Sequence, residues 1–355
     1  MKRIDRLRMA FLEKGLDGFA VFNWANLLYL TGTSSAAALV IPQDGECTVY
    51  AYGVNYEQAK AEAKEFSVEL IKREEKLMTK VADKTKICGM KNLAVDALGV
   101  DDWRALAKLV KGSVKLKVAG QLLWRLRKVK DAEEIALMRR AAELTSEGMK
   151  VAYEVLAPGI HEYELAAEVE YAMRKRGSNG TAFETIVASG ASSAFPHGSY
   201  GEKLIREGDL VVVDVGATFK FYRSDMTRTL VVGVPSEKQK RLYELVRRAH
   251  DRAFEAIKAN AKAKEIDAAA RTIIENAGYG EFFVHGLGHG VGLEVHEPPM
   301  LNPSSADVLV AGNVVTDEPG IYLAGYGGVR IEDTVLVNET GAEKLTSAAY
   351  ELSVK

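Results

Sequence analysis

From residue 1 to about 120, short apolar runs switch between helical and strand spacing. Ile4, Leu7 and Phe11 recur at the interval of one helix face. Ala36 to Ile41 and Cys47 to Tyr52 read as two strands around a Gln43-Asp44-Gly45 turn. A helix is predicted over Tyr56 to Lys64, and strands at Val68 to Ile71, Ala94-Val95 and Val114 to Val118. This is a small α/β domain over residues 1–120, in which no catalytic constellation is visible. Gln121 to Lys130 is basic and partly helical and reads as a linker.

From residue 131 to 355 the pattern is more regular. Asp131-Ala132-Glu133-Glu134 has the form of a capping box opening a long helix, with Ile135, Met138 and Ala142 on its apolar face. Pro158-Gly159 ends that segment, and a second helix carries Leu165, Val169 and Met173. It closes on Arg174-Lys175-Arg176-Gly177, cations at the negative helix end followed by a glycine. Strand-like runs and the loop Pro196-His197-Gly198 follow, then the apolar run Leu210 to Val213, which ends in Asp214. After Pro235 the order repeats. One helix carries Leu242, Val246, Ala253 and Ile257, and the next carries Ile266, Ala270 and Ile273 before Gly278. A histidine-bearing segment and a second acidic hairpin complete it. Residues 131–235 and 236–338 therefore share one layout of helix, helix, histidine and acidic hairpin, although their letters do not repeat.

The layout concentrates chemistry in two stretches. Asp214 and Asp225 lie in the first, and Glu318 and Glu332 in the second, each on or beside a β-rich run. Two halves facing each other bring these four carboxylates to one centre. Clustered carboxylates repel and take up protons unless a cation offsets them, so the pattern predicts a pair of divalent metal ions. His289, between Gly288 and Gly290, adds an imidazole. A mixed nitrogen and oxygen set favours Mn, Co, Fe or Zn over a thiolate-selected metal. Such two-metal sites activate water and polarise a carbonyl or phosphoryl oxygen. His197 and His296 remain for proton handling or substrate binding.

Three other readings fail on spacing or composition. His285 and His289 stand four apart, but the glycines from Gly286 to Gly292 oppose a helix, and no HExxH zinc motif exists. The same glycines miss the dinucleotide pattern, because Val291 occupies its third position. The two cysteines are too few for a disulfide framework and lack metal-site spacing.

Composition narrows the class without naming an activity. A length of 355 residues fits two domains, and 47% hydrophobic with 27% charged residues is ordinary for a soluble globular chain. A net charge of -2 gives no pull toward nucleic acid or anionic membrane. The N-terminus lacks the apolar core of a signal peptide, and no run approaches the roughly 18 apolar residues of a membrane span. A cytoplasmic location is expected.

Asp214, Asp225, His289, Glu318 and Glu332, in this order, resemble the five metal ligands of the pita-bread metallopeptidases, a family that includes methionine aminopeptidase, aminopeptidase P and prolidase. Pro196-His197-Gly198 and Val295-His296-Glu297 are similar to that family's two active-site histidine segments. The resemblance covers nearly the whole chain and implies an α+β fold, a pita-bread catalytic domain of two pseudo-symmetric halves behind a smaller α/β domain. By position it makes Asp225 and Glu332 the bridging ligands and Glu318 the proton shuttle. The N-terminal domain, Tyr29-Leu30-Thr31-Gly32 and Leu126 to Asp131 look like the compact prolidases. The implied reaction is hydrolysis of the bond before proline in Xaa-Pro dipeptides by a metal-bound hydroxide, in a homodimer. Its alternative is an aminopeptidase P-like action on longer peptides. His285 and Arg330 are expected to bind substrate. One position departs: where prolidases commonly place an arginine on the dipeptide's carboxylate, this chain has Met300. Methionine cannot make that pair, which leaves Arg330 to replace it or the strict dipeptide preference relaxed. A non-catalytic member of the fold lacks ligands that are all present here, and a creatinase-like amidinohydrolase does not need them.

Overall fold

A computed structural model describes residues 2–354. The chain divides into two compact units, one running through Arg127 and the other starting at Lys128.

The first unit is built on six strands: β1 (Gly18–Val21), β2 (Ala38–Pro42), β3 (Thr48–Tyr52), β4 (Ser67–Ile71), β5 (Asn92–Val95) and β6 (Lys115–Val118). Their order in the sheet is β4-β3-β2-β1-β5-β6. The predicted turn joins β2 to β3 as an antiparallel pair, Ala38 opposite Tyr50. Helices α1 (Arg3–Leu12), α2 (Trp24–Thr31), α3 (Gly53–Glu62), α4 (Leu77–Ile87), α5 (Val100–Leu109) and α6 (Gln121–Arg127) complete the unit. In α2 every residue after Trp24 is buried, so it shows no polar face for a periodicity argument to find. β1, buried at all four positions, was hidden for the same reason. Both cysteines are free.

The predicted linker is corrected. Residues 121–127 form α6, which buries Leu122, Leu123, Leu126 and Arg127. Arg127 donates from Nη1 to Asn26 Oδ1 at 2.9 Å, so this basic segment belongs to the first unit's interior. A buried arginine needs such a partner, and its charge made the segment look solvent-facing.

In the second unit, helices α7 (Ala132–Val155) and α8 (Glu162–Lys175) precede the first set of strands. The capping box forms as expected: Asp131 accepts from Glu134 N at 2.9 Å, and Glu134 accepts from Asp131 N at 3.0 Å. Such a cap contributes about 1 kcal/mol. The strands are β7 (Gly180–Thr181), β8 (Ile186–Ser189), β9 (Leu210–Val215), β10 (Ala217–Phe219), β11 (Tyr222–Arg223) and β12 (Met226–Val232). Helices α9 (Glu237–Ala256) and α10 (Ala263–Asn276) lead into the second set. It comprises β13 (Gly288–Gly290), β14 (Glu297–Leu301), β15 (Val314–Asp317), β16 (Gly320–Leu323), β17 (Gly327–Arg330), β18 (Asp333–Val337) and β19 (Ala342–Lys344), with β20 (Ser353–Val354) near the end. Apart from the small sheets β11-β10-β7 and β16-β17, the described residues of this unit form two larger sheets, β20-β12-β9-β8 and β14-β13-β15-β18-β19.

Each larger sheet carries its own helix pair. Leu144, Met149, Leu165, Val169 and Met173 pack on Val211, Val213 and Val215. Leu242, Val246, Ile266, Ala270 and Ile274 pack on Val315, Val335 and Val337. The repeated layout is therefore two layered halves. Strand alternation then sets every functional direction: with Val211, Val213 and Val215 facing helices, Asp214 faces the other way. The same parity turns Glu332 away from the helix layer that Val335 and Val337 face.

Candidate active site

All nine sequence-predicted site residues line one cavity of about 440 Å³. Asp214 sits near the end of β9 and Asp225 immediately before β12, adjacent antiparallel strands. Glu318 follows β15 and Glu332 precedes β18, again adjacent and antiparallel. His289 is the middle residue of β13. That segment is strand, as its glycines required. A Cβ on Gly288 would lie 2.2 Å from Thr316 O, and one on Gly290 2.5 Å from Glu297 O. Only glycine permits β13 to lie this close to its neighbours.

Threonines stitch the two ribbons together. Thr229 Oγ1 donates to Arg330 O and accepts from Arg330 N, both at 2.9 Å. Thr227 Oγ1 donates to Glu332 Oε2 at 2.6 Å, and Glu332 N donates to Thr227 O at 3.0 Å. Thr334 Oγ1 donates to Asp225 O at 2.7 Å. These bonds hold like charges together in a buried place, which the carboxylates alone resist.

The electrostatics carry the mark of that crowding. Burial, with Asp214 as the largest neighbouring charge, pushes the Asp225 carboxyl well above its ordinary range. Burial, then Asp225 and Glu318, does the same to Glu332. Asp214 is also raised, by burial against the opposing pull of Arg330. Glu318 goes the other way: its burial is overcome by the hydrogen bond and charge of His289, which hold it at about 2. His289 Nε2 is 3.3 Å from Glu318 Oε1 and 3.9 Å from Asp225 Oδ2. Against its own burial, Glu318 raises His289 to about 9.

The donor set fits divalent ions. One ligand atom each from Asp225, His289 and Glu332 lie within 4.8 Å of one another. Asp214 Oδ1 is buried without a hydrogen-bond partner among the described residues. A buried carboxylate oxygen in that state is costly unless a cation meets it. Oxygen and imidazole donors of this kind suit borderline and hard divalent metals.

Arg330, expected to bind substrate, lines the cavity and is bonded on several sides within the protein. Its Nη2 donates to Asp214 Oδ2 at 2.7 Å, Nη1 to Tyr322 OH at 2.8 Å and Pro196 O at 3.2 Å, and Nε to Thr227 Oγ1 at 3.0 Å. The guanidinium is thus committed within the protein and has no bidentate fork left for a carboxylate. His285, also expected to bind substrate, lines the same cavity. Its Nδ1 lies 2.7 Å from Gly286 O and its Nε2 2.9 Å from Tyr322 OH, so both ring nitrogens are engaged. Asp214, Arg330, Tyr322 and His285 form one chain of hydrogen bonds along the cavity wall. Tyr322 had no sequence signal, because an isolated tyrosine in a strand reads as packing.

His296 and His197 are both exposed on the cavity wall. The His296 ring lies 4.1 Å from that of His289, and its pKa is lowered by burial and then by that neighbour. On the far side of the second ribbon, Asp317 and Asp333 are fully buried. Arg228 donates to Asp333 Oδ1 at 2.9 Å and to Glu332 O at 2.7 Å, and His250 Nε2 lies 3.2 Å from Asp333 Oδ2. This buried charge cluster supports Glu332 from behind and is another feature that single-residue reading missed.

Comparison with known proteins agrees with this geometry. Residues 136–339 match metallopeptidase family M24, and residues 3–129 match the Creatinase/Prolidase N-terminal domain. The chain belongs to metallopeptidase family M24. This M24 chain is 41% identical over 353 residues to an Xaa-Pro dipeptidase of Pyrococcus furiosus, covering 99% of both chains. Its structure is similar to an Xaa-Pro dipeptidase from Bacillus anthracis, with TM-score 0.94 and 36% identity over 99% of this chain and 98% of that one. It is also similar to an X-Pro aminopeptidase from Thermotoga maritima, with TM-score 0.92 and 34% identity over 100% of both. The fold expectation, a two-halved pita-bread domain preceded in the chain by a smaller α/β domain, holds for this M24 chain.

Proposed function

We propose that this chain is a metal-dependent Xaa-Pro dipeptidase that hydrolyses the bond before proline. In this reading Asp214, Asp225, His289, Glu318 and Glu332 hold two divalent ions, of Mn, Co, Fe or Zn type. The observation that carries it is the convergence of these five side chains in one cavity of a family M24 chain. Divalent ions held there supply Lewis-acid charge for amide hydrolysis.

The protein's own groups handle the protons. The prolyl nitrogen bears no hydrogen in the substrate, so it must gain a proton to leave. Glu318, held ionised beside His289, is the carboxylate placed to take a proton from the attacking water and hand it on to that nitrogen. Its Oε1 accepts from Thr316 Oγ1 at 3.1 Å, which fixes the side chain's direction. His296 and His197, on the open wall, hydrogen-bond the peptide on either side of the scissile bond. Arg330 and Tyr322 orient Asp214 and leave the substrate to these histidines.

Metal analysis before and after chelation, with an Xaa-Pro dipeptide assay, tests this reading. Activity must disappear with the metal and return on its replacement.

A second reading, an aminopeptidase P-like action on longer peptides, draws on Met300 and the committed guanidinium of Arg330. Comparing an Xaa-Pro dipeptide with an Xaa-Pro-containing tripeptide separates the two. A clear preference for the tripeptide selects the second. We also propose a cytoplasmic homodimer, on resemblance alone; light scattering tests the assembly and cell fractionation the location.

A further inference from the structure

The loop that carries His197 is closed at its base by one buried carboxylate. Glu162, the first residue of α8, is 3% exposed and does not cap its own helix. Its Oε1 accepts from Ser189 N at 2.8 Å and Ser189 Oγ at 2.6 Å. Its Oε2 accepts from Gly201 N at 3.0 Å. Ser189 ends β8, where the loop leaves the sheet, and Gly201 lies where the chain returns. The backbone repeats the tie, since Glu162 N donates to Lys203 O at 3.1 Å. Lys203 Nζ in turn donates to Ser189 O and to Asp209 Oδ2.

Everything between these ends belongs to the cavity or its flank. Pro196, His197, Gly198 and Ser199 line the wall. The loop's side is pinned to the second ribbon, where Gly328 N donates to Ser193 Oγ at 2.9 Å. Its tip is pinned where Arg330 Nη1 reaches Pro196 O at 3.2 Å. Ser199 Oγ donates to Glu184 Oε1 at 3.1 Å on the cavity wall, whereas the base depends on Glu162, which is not part of the cavity lining.

We propose that Glu162 is a positioning residue for His197: by joining Ser189 to Gly201 it fixes the span of the loop and so the place of the imidazole. The proposal rests on the reading of His197 as a substrate-facing group. Both carboxylate oxygens must accept, and the three donors come from opposite ends of the loop. Glutamine offers one accepting oxygen and one donating nitrogen, so it sets donor against donor at one end. Aspartate keeps both acceptors on a shorter stem.

The test is a double-mutant cycle in the metal-loaded full chain, with kcat, KM, metal content and Tm measured for each variant. Glu162→Gln is expected to lower kcat by about tenfold or more, the scale of a modest misplacement of an active group, with metal content unchanged. In a His197→Ala background the same change is expected to cost less than about twofold, because nothing remains to be positioned. Glu162→Asp is expected to keep more activity than Glu162→Gln. An equal loss in both backgrounds, or no loss in either, overturns the proposal. A silent His197→Ala instead removes the histidine's assigned role and the proposal with it, while leaving the metal-site reading standing. Should Glu162→Gln fail to fold, Ser189→Ala removes one donor without stranding a charge. The same criterion then applies to a loss of about tenfold, that of one hydrogen bond to a charged group.

Discussion

Arg330 Nη2 donates to Asp214 Oδ2 across 2.7 Å, with both side chains buried, and so joins the second ribbon to the first at the cavity. The pair gives Asp214 a fixed direction and leaves its other oxygen, Oδ1, without a hydrogen-bond partner among the described residues. An arginine read from sequence as a grip for substrate is part of the frame around the candidate metal ligands.

Arg330→Ala is therefore expected to act on stability and metal binding before it acts on substrate affinity. Breaking a buried pair from one side costs about 3–5 kcal/mol, and loss of a partner to a ligand lowers metal affinity about 10–100-fold. Thermal unfolding with and without Mn(II) checks this. The metal-free variant is expected to lose the most, and added metal to recover part of it. Arg330→Lys keeps the charge but not the planar fork, and is expected to fall between wild type and alanine.

The pH dependence of the chelated protein follows from the same crowding. His289 is raised to about 9 from an ordinary 6.5, so its contribution is complete below pH 6.5 and lost as pH rises through 9. Asp225 and Glu332, held above the usual carboxylate range, act in the same direction: the folded chain keeps protons that the unfolded chain releases. Glu318, held at about 2, adds stability that is lost only as pH falls from 4.5 through 2. The metal-free Tm is expected to fall between pH 7 and 9, and the metal-loaded Tm to fall less. A metal-free Tm that climbs over this window contradicts the assignment.

Met300 is 38% exposed on the cavity wall, where Arg330, the one guanidinium among the described lining residues, is already bonded to the protein. A dipeptide's carboxylate thus meets no free arginine from this wall. Met300→Arg is expected to raise kcat/KM for an Xaa-Pro free acid about tenfold, the value of one charge-assisted pair, and to leave the Xaa-Pro amide unchanged. Steady-state kinetics on the two substrates reads this out; equal gains on both mean that the new arginine does not touch the carboxylate.

Much of this site was legible because strands have a period of two. The run Leu210 to Val213 announced a buried strand, and Asp214 at its end was then out of place unless something met it. The four carboxylates and His289 were legible as a set for that reason. The partners of Arg330 and His285 were not, since a hydrogen bond to Tyr322 or Pro196 depends on how two halves of the chain face each other. Asp317, Asp333 and His250 were hidden by the same limit: sequence marks each as charged and solvent-seeking, whereas inside the protein His250 faces both carboxylates and Arg228 pairs with Asp333. Glu162 carried no signal of its own in the sequence, because its partners lie at residues 189 and 201. Helix α6 misled in the opposite sense, its arginines suggesting a solvent-facing linker although Arg127 is 2% exposed.

The central claim is that carboxylates from two ribbons are held together to bind a pair of cations that power cleavage before proline. Titrating a divalent metal into the chelated protein, while following bound ions per chain and Xaa-Pro hydrolysis together, addresses it most directly. The account predicts saturation at two ions per chain, with activity rising as they bind, and loss of this behaviour in Asp225→Asn and Glu332→Gln. Full hydrolysis by the metal-free chain, or unchanged binding in both variants, contradicts it.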